Sequence, residues 1–243
     1  TLKLSADNGA NYNIVPSPAN LSGDFGDDLP GGTGKHIVWN AGAESYGLDG
    51  SYLYRVYADD GSSPPIPDNY VLVQGGTFNN GTSNVTLSSF YIDKYEVTQS
   101  EYQAVMGTNP SNFSSVANGP VEQVNWFNAI EYCNRRSMQE GLTPCYSYST
   151  YGTNPANWPS GWNTSTNHTN VSCNWTANGY RLPTEMEWQF AARGGNQTHN
   201  YTYSGSNDLN EVGWYSSNSG STTHTVGTKA ANELGTFDMS GNV

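Results

Sequence analysis

Charge is scarce in this chain: 12 % of its 243 residues are Asp, Glu, Lys or Arg, and 21 acidic side chains outnumber nine cations. A nucleic-acid partner needs a basic stripe that displaces counterions from phosphates, and a net charge of −12 without any basic run excludes one. An anionic membrane surface is disfavoured on the same ground. Long apolar runs are missing as well. None approaches the roughly 20 residues that cross a bilayer, so no membrane insertion is expected. Cysteine is limited to Cys133, Cys145 and Cys173. None stands in Cys-x-x-Cys spacing, which excludes a zinc ribbon or a redox motif of the thioredoxin type. The histidines His36, His168, His199 and His224 contain no i, i+4 pair for a metal, and no Gly-x-Ser-x-Gly elbow marks a nucleophile. The chain opens on Thr1 without a signal segment, which reads as a start after processing or inside a longer polypeptide.

What the chain has in quantity is aromatic surface. Seven Trp, 17 Tyr and seven Phe can build a core even though only 35 % of residues are hydrophobic. Residues 1–61 show no helical period. Thr1 to Ser5 alternates around Leu2 and Leu4, Ile37-Val38-Trp39 is a short apolar run, and Tyr52 to Tyr57 alternates around Leu53 and Val56. Turn formers separate them, and about four short strands predict a small all-β domain. Residues 62–68, Ser-Ser-Pro-Pro-Ile-Pro-Asp, form a stiff extended linker that excludes helix.

From residue 69 the pattern becomes α+β. Tyr70 to Val73 and Val85 to Asp93 read as strands. Thr98-Gln99-Ser100-Glu101 is a capping box for a helix that should stop at Gly107. Asn125 caps a second helix with Trp126, Ala129, Ile130 and Cys133 on one stripe. Thr184-Glu185-Met186-Glu187 opens a third, in which Trp188, Phe190 and Ala191 pack before Gly194-Gly195 ends it. Leu142 to Asn178 reads as one long polar loop. Cys145 and Cys173 bracket it as a local disulfide, worth about 3–4 kcal/mol by the chain-entropy account, with two free thiols as the alternative.

Two resemblances follow from particular residues. Leu21 to Gly26, Ile37 to Gly42 and Tyr54 to Ala58 resemble the later strands of a bacterial immunoglobulin-like or fibronectin-like repeat. That pattern has a strand before Thr1. Either the chain is truncated there, or another copy or surface protein supplies the strand by edge addition. Residues 69–243 resemble the sulfatase-modifying-factor family, which includes the formylglycine-generating enzymes. The resemblance is carried by Gly75-Gly76-Thr77-Phe78, Tyr95-Glu96-Val97-Thr98, Pro120-Val121 through Cys133-Asn134, Gly179 to Gly195 with Arg181-Leu182-Pro183-Thr184-Glu185, and Asp238 to Val243.

This second resemblance implies a C-type-lectin-like fold of short helices, short strands and long loops. It also implies copper-dependent oxidation of a sulfatase cysteine, through a pair of thiolates in a region that lies past Val243 in the family. No residue within the chain is therefore assigned a catalytic role, and the copper oxidase is the alternative if the native chain continues with that pair. Family members bind calcium near the Gly-Asn motif, which points to Asn242 with Asp238 beside it; calcium is the one cofactor the resemblance offers. Cys133 matches a family cysteine whose partner lies further on. Ten Asn-x-Ser/Thr sequons occur, four of them crowded on the long loop at Asn163, Asn167, Asn170 and Asn174, where glycosylation would mark an exposed surface. The expectation is a secreted or cell-surface module without catalysis, either a self-associating structural subunit or a binding scaffold.

Overall fold

A computed structural model describes residues 2–5, 21–23, 37–40, 53–56 and 69–243. The chain divides into two units, Thr1–Asp68 and Asn69–Val243. In the first, β1 (Leu2–Ser5) pairs antiparallel with β4 (Leu53–Val56), and β2 (Leu21–Gly23) with β3 (Ile37–Trp39). The linker over 62–68, and most of the residues that carry the immunoglobulin-like resemblance, lie outside the described residues.

The second unit opens with a long hairpin in two steps. β5 (Tyr70–Val73) pairs with β8 (Phe90–Asp93), and β6 (Gly76–Asn79) with β7 (Asn84–Leu87). The strand expected over Val85 to Asp93 is thus broken at Ser88-Ser89. The register does not slip across the break: Val73 faces Phe90 and Gly76 faces Leu87. At the break the Asn196 amide donates to the carbonyls of Gln74 and Gly75, while Ser89 Oγ accepts from the Gly75 N–H at 2.9 Å. Side chains thereby satisfy backbone groups that the ladder leaves open.

The helices start where their caps predict. α1 (Gln99–Met106) has a complete capping box between Thr98 and Glu101 and ends on Gly107 at φ 79°, a left-handed position that glycine adopts without strain. α2 (Trp126–Gln139) is capped reciprocally by Asn125 and Asn128, and α3 (Glu185–Ala192) by Thr184 and Glu187. A short α4 (Leu209–Val212) follows, capped by Asp208.

Residues 142–178, expected as a polar loop, carry structure of their own. β9 (Tyr146–Tyr148) and β10 (Val171–Cys173) form an antiparallel pair, with short 3-10 turns between them. The excursion also brings its own apolar payload. Tyr146, Tyr148, Trp158 and Trp162 are buried with Phe127, Ile130, Cys133 and Cys145. Trp158 and Trp162 meet edge to face at 4.4 Å, and Trp162 meets Phe127 at 5.5 Å. Buried Asn134 locks the excursion to α2: its amide donates to the carbonyls of Tyr146 and Thr153 and accepts from the Tyr146 N–H. Gly179 runs so close to the Thr143 carbonyl that a Cβ there would lie 2.3 Å from it.

Two further clusters complete the interior. Val73, Phe190 and Ala191 join the hairpin to α3, and Tyr102, Val121 and Tyr132 join α1 to α2. Two expectations about packing are corrected. Trp126 and Trp188 are not inward; they are 43 % and 44 % exposed. In α2 the adjacent Phe127 occupies the inward direction, about 100° round the helix from Trp126, and in α3 Phe190 does, two residues and about 200° from Trp188.

Candidate functional site

The exposed Trp126 begins a groove on the outer side of α2. Its walls are Trp126 and Trp175, its floor Tyr146 and Cys173, and its far side Val171, Leu182 and Pro183; it encloses about 340 Å³. Trp175 is 61 % exposed, and the guanidinium of Arg181 lies over its ring at 5.0 Å. The Arg181 to Thr184 segment is rigid. Arg181 grips Glu187 through two 2.7 Å hydrogen bonds, the Leu182 N–H donates to Tyr146 Oη, and Thr184 caps α3. Arg181 and Thr184 are thus structural, and Arg181 backs the open indole ring of Trp175. Two exposed Trp side chains around an apolar floor form a surface suited to an apolar side chain of another molecule.

Cys173 lines this groove, and Cys133 and Cys145 are buried in the adjoining core. Cys173 lies opposite Tyr146 in the β9–β10 pair, and the Asn174 N–H donates to the carbonyl of Cys145 at 2.7 Å. All three cysteines are free thiols in the structure, and Cys145 Sγ is 3.2 Å from the Gly179 carbonyl. Burial pushes the Cys133 thiol up to about 12, and Cys145 and Cys173 also lie above the ordinary thiol range through burial. A thiol held protonated is neither a good nucleophile nor a ready soft-metal ligand.

Asn242 and Asp238 belong to a different place. Asn242, at φ 84°, is a bracket: its Oδ1 accepts from the His224 N–H, and its Nδ2 donates to Glu96 Oε2 at 2.8 Å and to the His224 carbonyl. The His224 ring stacks on Trp214 at 3.7 Å. Asp238 accepts from the Gly227 N–H through Oδ2, while its buried Oδ1 has no partner. Burial, with the Asp238 charge adding to it, raises the Glu96 carboxyl to about 8; burial also raises Asp238. Asn242 thus presents an N–H to Glu96, and the two are joined by a hydrogen bond. Among the described residues, no group of three or more His, Cys, Asp or Glu could hold a metal ion.

Asn170 and Asn174 flank β10, and Asn163, Asn170 and Asn174 are exposed. Asn167 is half-buried, with its amide donated to the Gly161 carbonyl and Thr164 Oγ1. Sequence reasoning missed the groove because it assigned Trp126 to the core and Trp175 to a loop. The detectable signal was the adjacent pair Trp126-Phe127, of which a helix can bury one.

Residues 60–243 match the sulfatase-modifying factor enzyme 1-like domain. The chain belongs to this family. It is 47 % identical over 206 residues to the chaperone protein LppX of Paenibacillus barcinonensis, a match that spans 73 % of this chain and 70 % of that protein. Among solved structures, Treponema denticola variable protein 1 is similar at TM-score 0.62 and 36 % identity, over 72 % of this chain and 70 % of that one. A protein named CarF is similar at TM-score 0.58 and 31 % identity, over 73 % of this chain and 78 % of its own. The mixed α+β architecture of this sulfatase-modifying-factor-like unit is therefore shared with known structures. Among the described residues no helix is long and apolar enough to cross a membrane.

Proposed function

We propose that this chain is a non-catalytic, secreted or cell-surface module of the sulfatase-modifying-factor family, whose C-type-lectin-like scaffold holds a partner polypeptide. The observation that carries this reading is the groove between Trp126 and Trp175, with its apolar floor and fixed rim. The occupant it fits is an apolar segment of another protein, since two indoles offer large contact area at small entropic cost. A relative named as a chaperone, 47 % identical, supports a protein as the ligand. An extracellular setting is supported by four sequons on one excursion.

The test is suppression of aggregation. Citrate synthase is heated with the protein and its light scattering followed, alongside the Trp126→Ala/Trp175→Ala double variant. Both side chains are exposed, so the variant should keep its fold, checked by circular dichroism. The expected result is that the native chain suppresses scattering and the double variant loses most of that effect. Equal suppression by both proteins, or none by either, overturns the reading.

A further inference from the structure

β9 and β10 pair only with each other, and their two outer edges differ. The β9 edge is closed. The Tyr146 N–H donates to Asn134 Oδ1, its carbonyl accepts from Asn134 Nδ2, and the Tyr148 N–H donates to the Gly152 carbonyl. Bonded and non-bonded pairs alternate along an antiparallel ladder. The Asn174 N–H donates to the Cys145 carbonyl in this same register, which makes Ser172 and Ser147 the bonded pair. Val171 and Cys173 therefore direct their backbone groups away from β9. The Val171 N–H is taken by the His168 carbonyl. Among the described residues, no hydrogen bond accounts for the Val171 carbonyl or for the N–H and carbonyl of Cys173. These groups open into the Trp126–Trp175 groove, which Val171, Ser172 and Cys173 all line. Successive side chains of a strand point to opposite faces, so a groove lined by all three runs along the strand's edge. Exposed edges are commonly blunted by Lys, Pro or a bulge, and Val171-Ser172-Cys173 has none of these.

Building on the reading of this groove as a polypeptide site, we propose that its occupant is an extended, cation-flanked segment that adds to β10 as an antiparallel third strand. The residue placed opposite Cys173 exchanges two backbone hydrogen bonds with it. The residue two further on donates its N–H to the Val171 carbonyl. Both of those side chains then fall on the face of Val171 and Cys173, over the floor that Tyr146 and Leu182 provide. The residue between them points the other way. The sequence that fits is thus apolar-x-apolar, not a continuous apolar run. A helix is the competing shape, and it is disfavoured because its backbone groups bond within itself and leave the β10 edge unpaired. Charge selects the flanks. Arg181, the cation that backs Trp175, is neutralised by Glu187, while Glu185 is exposed next to the groove residue Thr184. With the net charge of −12, the rim favours Lys or Arg on an incoming segment.

The probe is the end-blocked heptapeptide Lys-Thr-Leu-Thr-Val-Thr-Lys, titrated into the whole chain while intrinsic Trp fluorescence is followed. Amide hydrogen exchange at Cys173 is measured by NMR with and without saturating peptide. The expected result is a saturable fluorescence change, with exchange at Cys173 slowed about tenfold or more by the peptide. Methylation of the Leu nitrogen keeps every side chain and removes the donor to the Cys173 carbonyl. It should weaken binding about tenfold or more, the effect of losing one backbone hydrogen bond and leaving its acceptor buried. Glu in place of both Lys should weaken binding too, and the Trp126→Ala/Trp175→Ala variant should bind poorly. Native affinity of the methylated peptide, unslowed exchange at Cys173 under saturation, or equal affinity of the Glu-flanked peptide would overturn the proposal. No peptide binding by a chain that does suppress citrate synthase aggregation would overturn strand addition and leave the groove reading standing. Peptide binding that slows Cys173 in a chain without such suppression would support strand addition and overturn only the aggregation reading.

Discussion

Asn196 is packed against Gly76 so closely that a Cβ on the glycine would lie 2.2 Å from its Oδ1. The contact explains the break in the first hairpin. The Asn196 amide supplies the hydrogen bonds that the Gln74 and Gly75 carbonyls lack, and only residues without a Cβ let it approach. Gly75 is equally confined, with the Leu87 carbonyl 2.6 Å from where its Cβ would stand. The Gly75-Gly76 pair that resembles the family's opening strand thus has a steric reason.

Gly76→Ala should destabilise the unit by about 1–3 kcal/mol, the usual cost of overpacking. Asn196→Ala should cost about 1–3 kcal/mol, because two backbone carbonyls lose their donor. The double variant should cost less than the sum, since removal of the amide makes room for the methyl. Urea denaturation of the four proteins measures the coupling. Strict additivity would mean that the two residues do not constrain one another.

Arg136 holds a second junction. It bonds Glu140 at 2.9 Å, lies over the Tyr180 ring at 4.4 Å and stands 3.9 Å from Asp93, with only 13 % of its side chain exposed. Tyr180 Oη closes the circuit on Glu140. Burial, with the Glu101 charge adding to it, already raises Asp93 to about 6, and Arg136 opposes that rise. Arg136→Ala should therefore cost about 3–5 kcal/mol, because it strands a buried carboxylate. Addition of Asp93→Asn should recover part of the loss. The comparison is the midpoint of thermal unfolding at neutral pH; no recovery would mean that lost packing, not stranded charge, is the cause.

The parts of the molecule that sequence revealed are those specified by short-range chemistry. Thr98, Asn125 and Thr184 announce their helices because a cap is satisfied within three residues. The β9–β10 excursion was hidden because its local composition is polar, while its order comes from Trp158 and Trp162 reaching Phe127 on α2. The groove was hidden for a related reason. Hydrophobic periodicity assigns an aromatic residue inward, and cannot say that Trp126 and Trp188 lost that position to Phe127 and Phe190. The hydrogen bonds of Asn242 were not legible, because its partners, Glu96 and His224, are distant in sequence.

That node makes stability pH-dependent. Glu96 is raised from 4.5 to about 8, so the folded chain binds a proton that the unfolded chain releases at neutral pH. The contribution is complete below 4.5 and disappears as pH rises through about 8. Asp238, also raised, acts with the same sign. Urea midpoints should fall between about pH 6 and pH 9 and recover on return to the lower value. Glu96→Gln should flatten that slope, although its amide must meet one of the donors from Asn242 or Val243 and so lowers stability at acid pH. An equally steep slope in the variant would assign the dependence to another group.

The cysteines provide the last prediction. Cys173 lies opposite Tyr146, the neighbour of Cys145, in the β9–β10 pair and is half-buried, whereas Cys145 and Cys133 are both buried and the Cys133 thiol is pushed up to about 12. In an oxidising compartment we expect Cys145 and Cys173 to join and Cys133 to remain a thiol, since Cys173 is the partly exposed thiol that an oxidant reaches first and Cys145 stands next to its strand partner Tyr146. The bridge would close the loop that carries Trp158 and Trp162, and should add about 3–4 kcal/mol. Peptide mapping of protein incubated with oxidised glutathione, under non-reducing conditions, should find the 145–173 linkage and alkylatable Cys133 only after unfolding. A chain that keeps all three thiols, or one that links Cys133 instead, would show that the β9–β10 geometry does not select this pair.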